Sequence, residues 1–224
     1  MTIFAASVAL VSPAFVSAGF EEGMTAIESR DYAKAYAEFK PLAEQGMREA
    51  QVNLGNLYMR GLGVAQDYAE AKHWYEQAAR QGDAQAESKL GILYFYGLGV
   101  PIEMSEAARW FSKAAERGEA SAQAVLGALY VSGSGVEKDN AQAYFWYTLA
   151  AEQGNQNAAH GKNSLVEEMT PGEMASALDR LAEWQKQKEA AEALSAENKS
   201  KPKKSSARKG GKAPKSAGKK ARSK

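Results

Sequence analysis

Leu54-Gly55-Asn56-Leu57-Tyr58 returns as Leu90-Gly91-Ile92-Leu93-Tyr94 and a third time as Leu126-Gly127-Ala128-Leu129-Tyr130, at an interval of 36 residues. A fixed interval of this kind marks a repeat architecture, in which each unit buries its apolar face on the next. Reading outward, Gly61-Leu62-Gly63-Val64 becomes Gly97-Leu98-Gly99-Val100 and then Gly133-Ser134-Gly135-Val136. Trp74, Trp110 and Trp146 hold one position, and Ala78-Ala79, Ala114-Ala115 and Ala150-Ala151 another. Gln45-Gly46, Gln81-Gly82, Arg117-Gly118 and Gln153-Gly154 close successive units.

Each piece has a physical reading. Ala50, Leu54, Leu57 and Tyr58 have the spacing of one helix face, as do Ala71, Trp74 or Tyr75, and Ala78. Each unit is therefore a helix A, a loop and a helix B. A glycine inside a helix costs about 1 kcal/mol relative to alanine. Its recurrence at 55, 91 and 127 implies that helix B packs there too closely for a side chain. The Gly-x-Gly-Val loop calls for positive φ at one or both glycines. Asp31, Asp67 and Asp139 are suited to cap helix B, with Glu103 a weaker substitute. Gly46, Gly82, Gly118 and Gly154 stand where a helix ends in a left-handed residue.

The ends of the stack are atypical. Asp31-Tyr32-Ala33-Lys34-Ala35 matches Asp67-Tyr68-Ala69-Glu70-Ala71, so Phe20 to Ser29 is expected to be helix A of an N-terminal unit. After Gly154 the pattern decays: Ala158 and Leu165 hold their places, but the Leu-Gly positions become Lys162 and Asn163. Thr170-Pro171-Gly172-Glu173 is a capping box with proline at the first helical position. It opens a last helix to about Gln185, with Met174, Leu178, Leu181 and Trp184 on its apolar side. The expectation is an all-α chain, an α/α superhelical solenoid over residues 19–185, with complete repeats at about 47–82, 83–118 and 119–154.

The net charge of +1 conceals an asymmetry. Lys199 to Lys224 holds 12 Lys or Arg and no acid, which leaves 16 bases against 27 acids elsewhere, a net of −11. Residues 186–198 read as a fraying helical extension or linker. Residues 199–224 carry no aromatic and no aliphatic larger than alanine, too little apolar surface to fold alone. This arm is expected to be disordered and to bind polyanions, with Lys203, Lys204, Arg208, Lys209, Lys219 and Lys220 among its contacts. Nucleic acid, anionic lipid and an acidic envelope polymer all fit. The alternative is an arm that folds back on the acidic body.

Met1 to Phe20 has no charged side chain, and Val16-Ser17-Ala18 fits a signal-peptidase site. Residues 1–18 are expected to be a secretory signal, although a basic residue before the apolar stretch is missing. The corresponding compartment is periplasmic or extracellular. The alternatives are an uncleaved anchor and a cytoplasmic protein whose first helix is apolar, its arm then engaging nucleic acid. Cysteine is absent, which excludes disulfides and thiolate metal sites.

The combination Ala-x-x-x-Leu-Gly-x-Leu-Tyr, Gly-x-Gly-Val, Asp-x-x-x-Ala, Trp and Ala-Ala-x-x-Gly resembles the Sel-1-like repeat, a relative of the tetratricopeptide repeat. The resemblance covers roughly Phe20 to Gln185. It departs from members with paired cysteines in each repeat. It implies a solenoid with a concave face lined mainly by the A helices, and the role of an adaptor or scaffold that holds proteins or peptides.

No catalytic constellation accompanies the repeats. His73 and His160 lack a second histidine or carboxylate pair at ligand spacing, and no phosphate-binding loop or dinucleotide fingerprint is present. Neither a cofactor nor a small-molecule substrate is expected. Some Sel-1-like proteins are associated with β-lactam binding or hydrolysis, and that alternative directs attention to Ser-x-x-Lys. It occurs at Ser200/Lys203, Ser206/Lys209 and Ser216/Lys219, all in the lysine-rich tail, where no rigid pocket positions a base. Recurring tyrosines and tryptophans read as packing residues. Function is expected where the repeats differ. On helix A the candidates are Asn56 and Met59, then Ile92, Phe95 and Tyr96, then Ala128 and Val131, with the middle unit the most apolar. The alternative is that these residues pack against neighbouring helices.

Overall fold

The computed structural model describes the backbone of residues 13–200 and the side chains of residues 18–194. Its described residues form helices and loops only, and they fall into two units that divide between Leu181 and Ala182. The first holds α1 (Pro13–Glu28), α2 (Tyr32–Glu44), α3 (Arg48–Arg60), α4 (Tyr68–Arg80), α5 (Ala84–Tyr96), α6 (Met104–Glu116), α7 (Ala120–Ser132), α8 (Asn140–Glu152) and α9 (Gln156–Glu168). α10 (Pro171–Ser200) begins in the first unit and continues in the second, so residues 186–198 extend this helix. From α1 to α9 each helix packs on the next, and α7 also touches α9. This is the expected α/α solenoid, with odd-numbered A helices and even-numbered B helices.

The repeated residues explain the stack. A Cβ on Gly55 would stand 2.7 Å from the Tyr75 ring, one on Gly91 2.9 Å from Phe111, and one on Gly127 2.6 Å from Tyr147. Helix B therefore presses an aromatic ring onto the bare backbone of helix A. Phe39 covers Gly23, one turn after Gly19, the residue that stands 36 positions before Gly55, so α1 and α2 pair as the complete units do but with the contact shifted. The rings at 39, 75, 111 and 147 share the 36-residue interval, one position after the tryptophans. They are buried, whereas Trp74 and Trp110 are half-buried against the core clusters.

Local chemistry fixes the helix ends. Both loop glycines of each complete unit have positive φ, for example 65° at Gly61 and 71° at Gly63. Asp31, Asp67 and Asp139 accept backbone N–H bonds at the starts of α2, α4 and α8, whereas Glu103 makes no such bond. Gly82 closes α4 with φ 80°; its N–H donates to Ala79 O and that of Asp83 to Ala78 O. This is the paired closure of a Schellman motif. The capping box forms: Thr170 N–H donates to Glu173 Oε2 at 2.8 Å, and Glu173 N–H to Thr170 Oγ1 at 3.2 Å. The bonds that the Glu173 carboxylate accepts from the Thr170 N–H and the Thr170 hydroxyl hold it below the usual carboxylate range.

One expectation is corrected. Leu178 is not on the buried side of α10: it is 51% exposed, and Ala177 is fully buried in its place. The helix phase therefore puts Met174, Ala177 and Leu181 inward. In the decayed unit a Cβ on Gly161 would stand 2.7 Å from Tyr147, so that ring lies against Gly127 of α7 on one side and Gly161 of α9 on the other.

A second, polar seam runs through the stack. Buried Gln51 donates its Nε2 to Ala43 O at 3.1 Å, and its Oε1 accepts from Gln81 Nε2 at 2.9 Å. Buried Gln123 repeats this with Ala115 O at 3.0 Å and Gln153 at 2.8 Å. In the middle unit the pair is ionic: Arg117 Nε donates to Glu87 Oε2 at 2.9 Å, with the Glu87 side chain buried and Arg117 half exposed. Burial pushes the Glu87 carboxyl up, and the Arg117 guanidinium opposes that rise.

Candidate functional site

The A-helix face carries the residues that differ among units. α3 presents Asn53, Asn56 and Arg60, and the equivalent positions are Lys89, Ile92 and Tyr96 on α5, then Val125, Ala128 and Ser132 on α7. The same surface thus passes from two amides and a cation, to a cation, an aliphatic and an aromatic, to three smaller side chains.

A groove of about 340 Å³ opens at the first of these segments. Ile27 of α1, Tyr32 of α2, Leu57 and Met59 of α3 and the loop residue Leu62 supply its apolar lining. Asn53, Asn56, Arg60 and Lys89 supply its polar groups. The Tyr75 hydroxyl donates to Asn56 Oδ1 at 2.9 Å, with Met59 Sδ 3.3 Å away, and burial raises the phenol's pKa. This bond fixes the Asn56 amide with its oxygen toward Tyr75, which leaves the NH₂ as the outward donor. Asn53 Nδ2 donates to Glu49 O at 2.9 Å, which leaves its Oδ1 as an acceptor.

Of the expected site residues, Asn56 and Met59 are brought together here. Met59 also packs, half-buried, against the core cluster around Tyr75 and Leu90, and Val131 against the cluster around Tyr147 and Leu165. Phe95 and Tyr96 meet edge to face at the end of α5, ring centroids 4.9 Å apart. Tyr96 is 65% exposed, while Ile92 and Phe95 are half-buried. Ala128 lies apart, in a groove of about 350 Å³ with Ser121, Val125, Tyr147 and Asn155. Lys203, Lys204, Arg208, Lys209, Lys219 and Lys220 lie outside the described residues.

Arg60 and Lys89 were missed as site residues. Position 60 opposes Tyr96 and Ser132, and position 89 opposes Asn53 and Val125, so the signal lay in the charge difference between units. Neither cation has an ion-pair partner among the described residues.

His73 and His160 are both exposed. Among the described residues no group of three or more His, Asp or Glu is placed to hold a metal ion, and no helix is long and apolar enough to cross a membrane.

The model of the Sel1 repeat matches residues 48–83, 84–119 and 120–155, one residue later than the units read from the sequence. The chain is a Sel1-repeat protein. A crystal structure of a Sel1 repeat protein from Oxalobacter formigenes is 33% identical, with a TM-score of 0.57, over 66% of this chain and 64% of that one. A protective antigen of uropathogenic Escherichia coli with an SLR fold is 28% identical, with a TM-score of 0.47, over 91% of this chain and 50% of that one. The Sel1 chain described here thus spans about two thirds and one half of these two proteins. No curated protein matches it. Sel1-repeat proteins are generally protein-interaction scaffolds.

Proposed function

We propose that this Sel1-repeat chain is a non-catalytic scaffold that holds an extended peptide segment of a partner protein across its A-helix face. One observation carries the reading. The residues repeated at 36-residue intervals are spent mainly on packing, while Asn53, Asn56, Met59, Arg60 and Lys89, which differ between units, line an open groove, and the same face carries the exposed Tyr96. Exposed aromatic anchors beside fixed amides are a common means of peptide capture. Selection of a phage-displayed library of random twelve-residue peptides on the full chain tests this. Selected peptides are expected to lose binding to Phe95→Ala/Tyr96→Ala while the helical circular dichroism persists. Retained binding, or loss of helix with loss of binding, would remove the assignment.

Two further elements complete the proposal. Residues 199–224 act as an electrostatic arm for polyanions, because they hold 12 bases and no acid. Deleting them should abolish salt-sensitive binding to heparin, and unchanged binding would refute the arm. Residues 1–18 direct export to the periplasm or beyond, so the mature chain should start at Gly19 by mass spectrometry. Intact residues 1–18 would favour the cytoplasmic reading, with nucleic acid as the arm's target.

A further inference from the structure

We infer that the groove between α1, α3 and α5 is a subsite for an acidic side chain of the bound peptide. The inference rests on the peptide-docking reading and specifies its ligand. The polar groups of this groove are Arg60, Lys89, Asn53 and Asn56, and no Asp or Glu lines it. Outside the basic tail the chain carries 16 bases against 27 acids, so two cations without ion-pair partners among the described residues are a local reversal of sign. Like charge disfavours the chain's own basic tail as occupant, and opposite charge favours a carboxylate. The two asparagines add what an extended backbone needs: Asn56 a fixed N–H donor, Asn53 a free oxygen.

The carboxylate belongs to a side chain rather than to a C-terminus. Lys89 lies on the same stripe of α5 as Ile92 and Tyr96, so a peptide that reaches both the groove and the aromatic end passes Lys89. From Lys89 to Tyr96 the helical rise gives roughly 10 Å, or about three residues of extended chain. The ligand is therefore an extended peptide with Asp or Glu about three residues from a bulky apolar residue.

The test uses the phage-displayed library on the full chain and on the Arg60→Gln/Lys89→Gln variant. Both positions are accessible, so the variant should keep its helical signal and thermal midpoint. Peptides selected on the unmodified chain should be enriched in Asp or Glu near an aromatic residue, and the variant should lose the acid enrichment but keep the aromatic one. A synthetic selected peptide, amidated at its C-terminus, should bind about fivefold more weakly when its acid becomes Gln. The Gln peptide with a free C-terminus should not recover. Peptides without acid enrichment would overturn the inference and leave the docking reading intact. Failure to select any peptide would overturn both. Recovery by the free C-terminus would make a terminal carboxylate the ligand. Self-association that disappears in the variant would make a second copy the occupant. Either outcome overturns the side-chain assignment.

Discussion

The buried seam and the A-helix face of this solenoid are built on the same 36-residue interval, yet they vary in opposite ways. In the three complete units the seam changes only between Tyr and Phe, at 75, 111 and 147, and the glycine facing the ring never changes. On the face a few ångströms away, Asn53-Asn56-Arg60 gives way to Lys89-Ile92-Tyr96 and then to Val125-Ala128-Ser132. A ring pressed on bare backbone tolerates no added atom, whereas a solvent-facing stripe tolerates any side chain. The seam therefore makes the stack, and the face distinguishes one unit from the next.

The largest break should come from the seam. Phe111→Ala would leave a cavity against Gly91 in a fully packed core, with an expected loss of about 4 kcal/mol in chemical denaturation. A loss below 1 kcal/mol would show that the ring does not tie helix B to helix A within its unit.

The polar seam sharpens the comparison, because its middle rung alone is ionic. Arg117→Gln would leave the buried Glu87 carboxylate without its partner, and a loss of about 2 kcal/mol is expected at neutral pH, moderated by the exposure of Arg117. Adding Glu87→Gln should restore most of it by recreating the Gln51–Gln81 pair of the neighbouring unit. Burial raises the Glu87 carboxyl in the folded chain, so the folded state binds its proton more tightly than the unfolded one. That contribution is full below the ordinary carboxylate range and is lost as pH rises through the raised value. Unfolding midpoints across that range should fall less in the Glu87→Gln/Arg117→Gln chain than in the unmodified one.

Much of this was legible in the sequence. The interval, the helix pairs, the close approach at Gly55 and its equivalents, the Asp caps and the capping box all follow from local patterns. The ring series was harder: Phe39, Tyr75, Phe111 and Tyr147 mix two residue types and sit beside the more conspicuous tryptophans. The Glu87–Arg117 exchange joins residues 30 positions apart, each of which reads alone as a surface charge. Leu178 misled because α10 turns Ala177 inward instead, a choice of helix phase that four apolar residues do not settle. The groove needs three A helices at once, so Asn56 and Met59 could be named from their variability, but their meeting with Arg60 and Lys89 could not.

A smaller effect belongs to the loops. Asp139 Oδ1 accepts the Gln142 N–H at 2.9 Å to cap α8, and Asp139 also faces Arg180 of α10 at 3.7 Å. Asp139→Ala should cost about 1 kcal/mol. Measured beside Glu103→Ala, which removes no side-chain cap bond, the difference reports the cap together with the Arg180 pair.

The smallest stability change should accompany the largest functional one. Phe95→Val/Tyr96→Ser gives the middle unit the residues that the third unit already carries at Val131 and Ser132. The direct measurement is the affinity of the library-selected peptides for this chain, alongside its thermal midpoint. The expected result is lost peptide binding with the midpoint within about 4 °C of the unmodified chain. Undiminished binding, or a loss of binding that appears only together with melting of the helices, would contradict the division between a constant seam and a variable face.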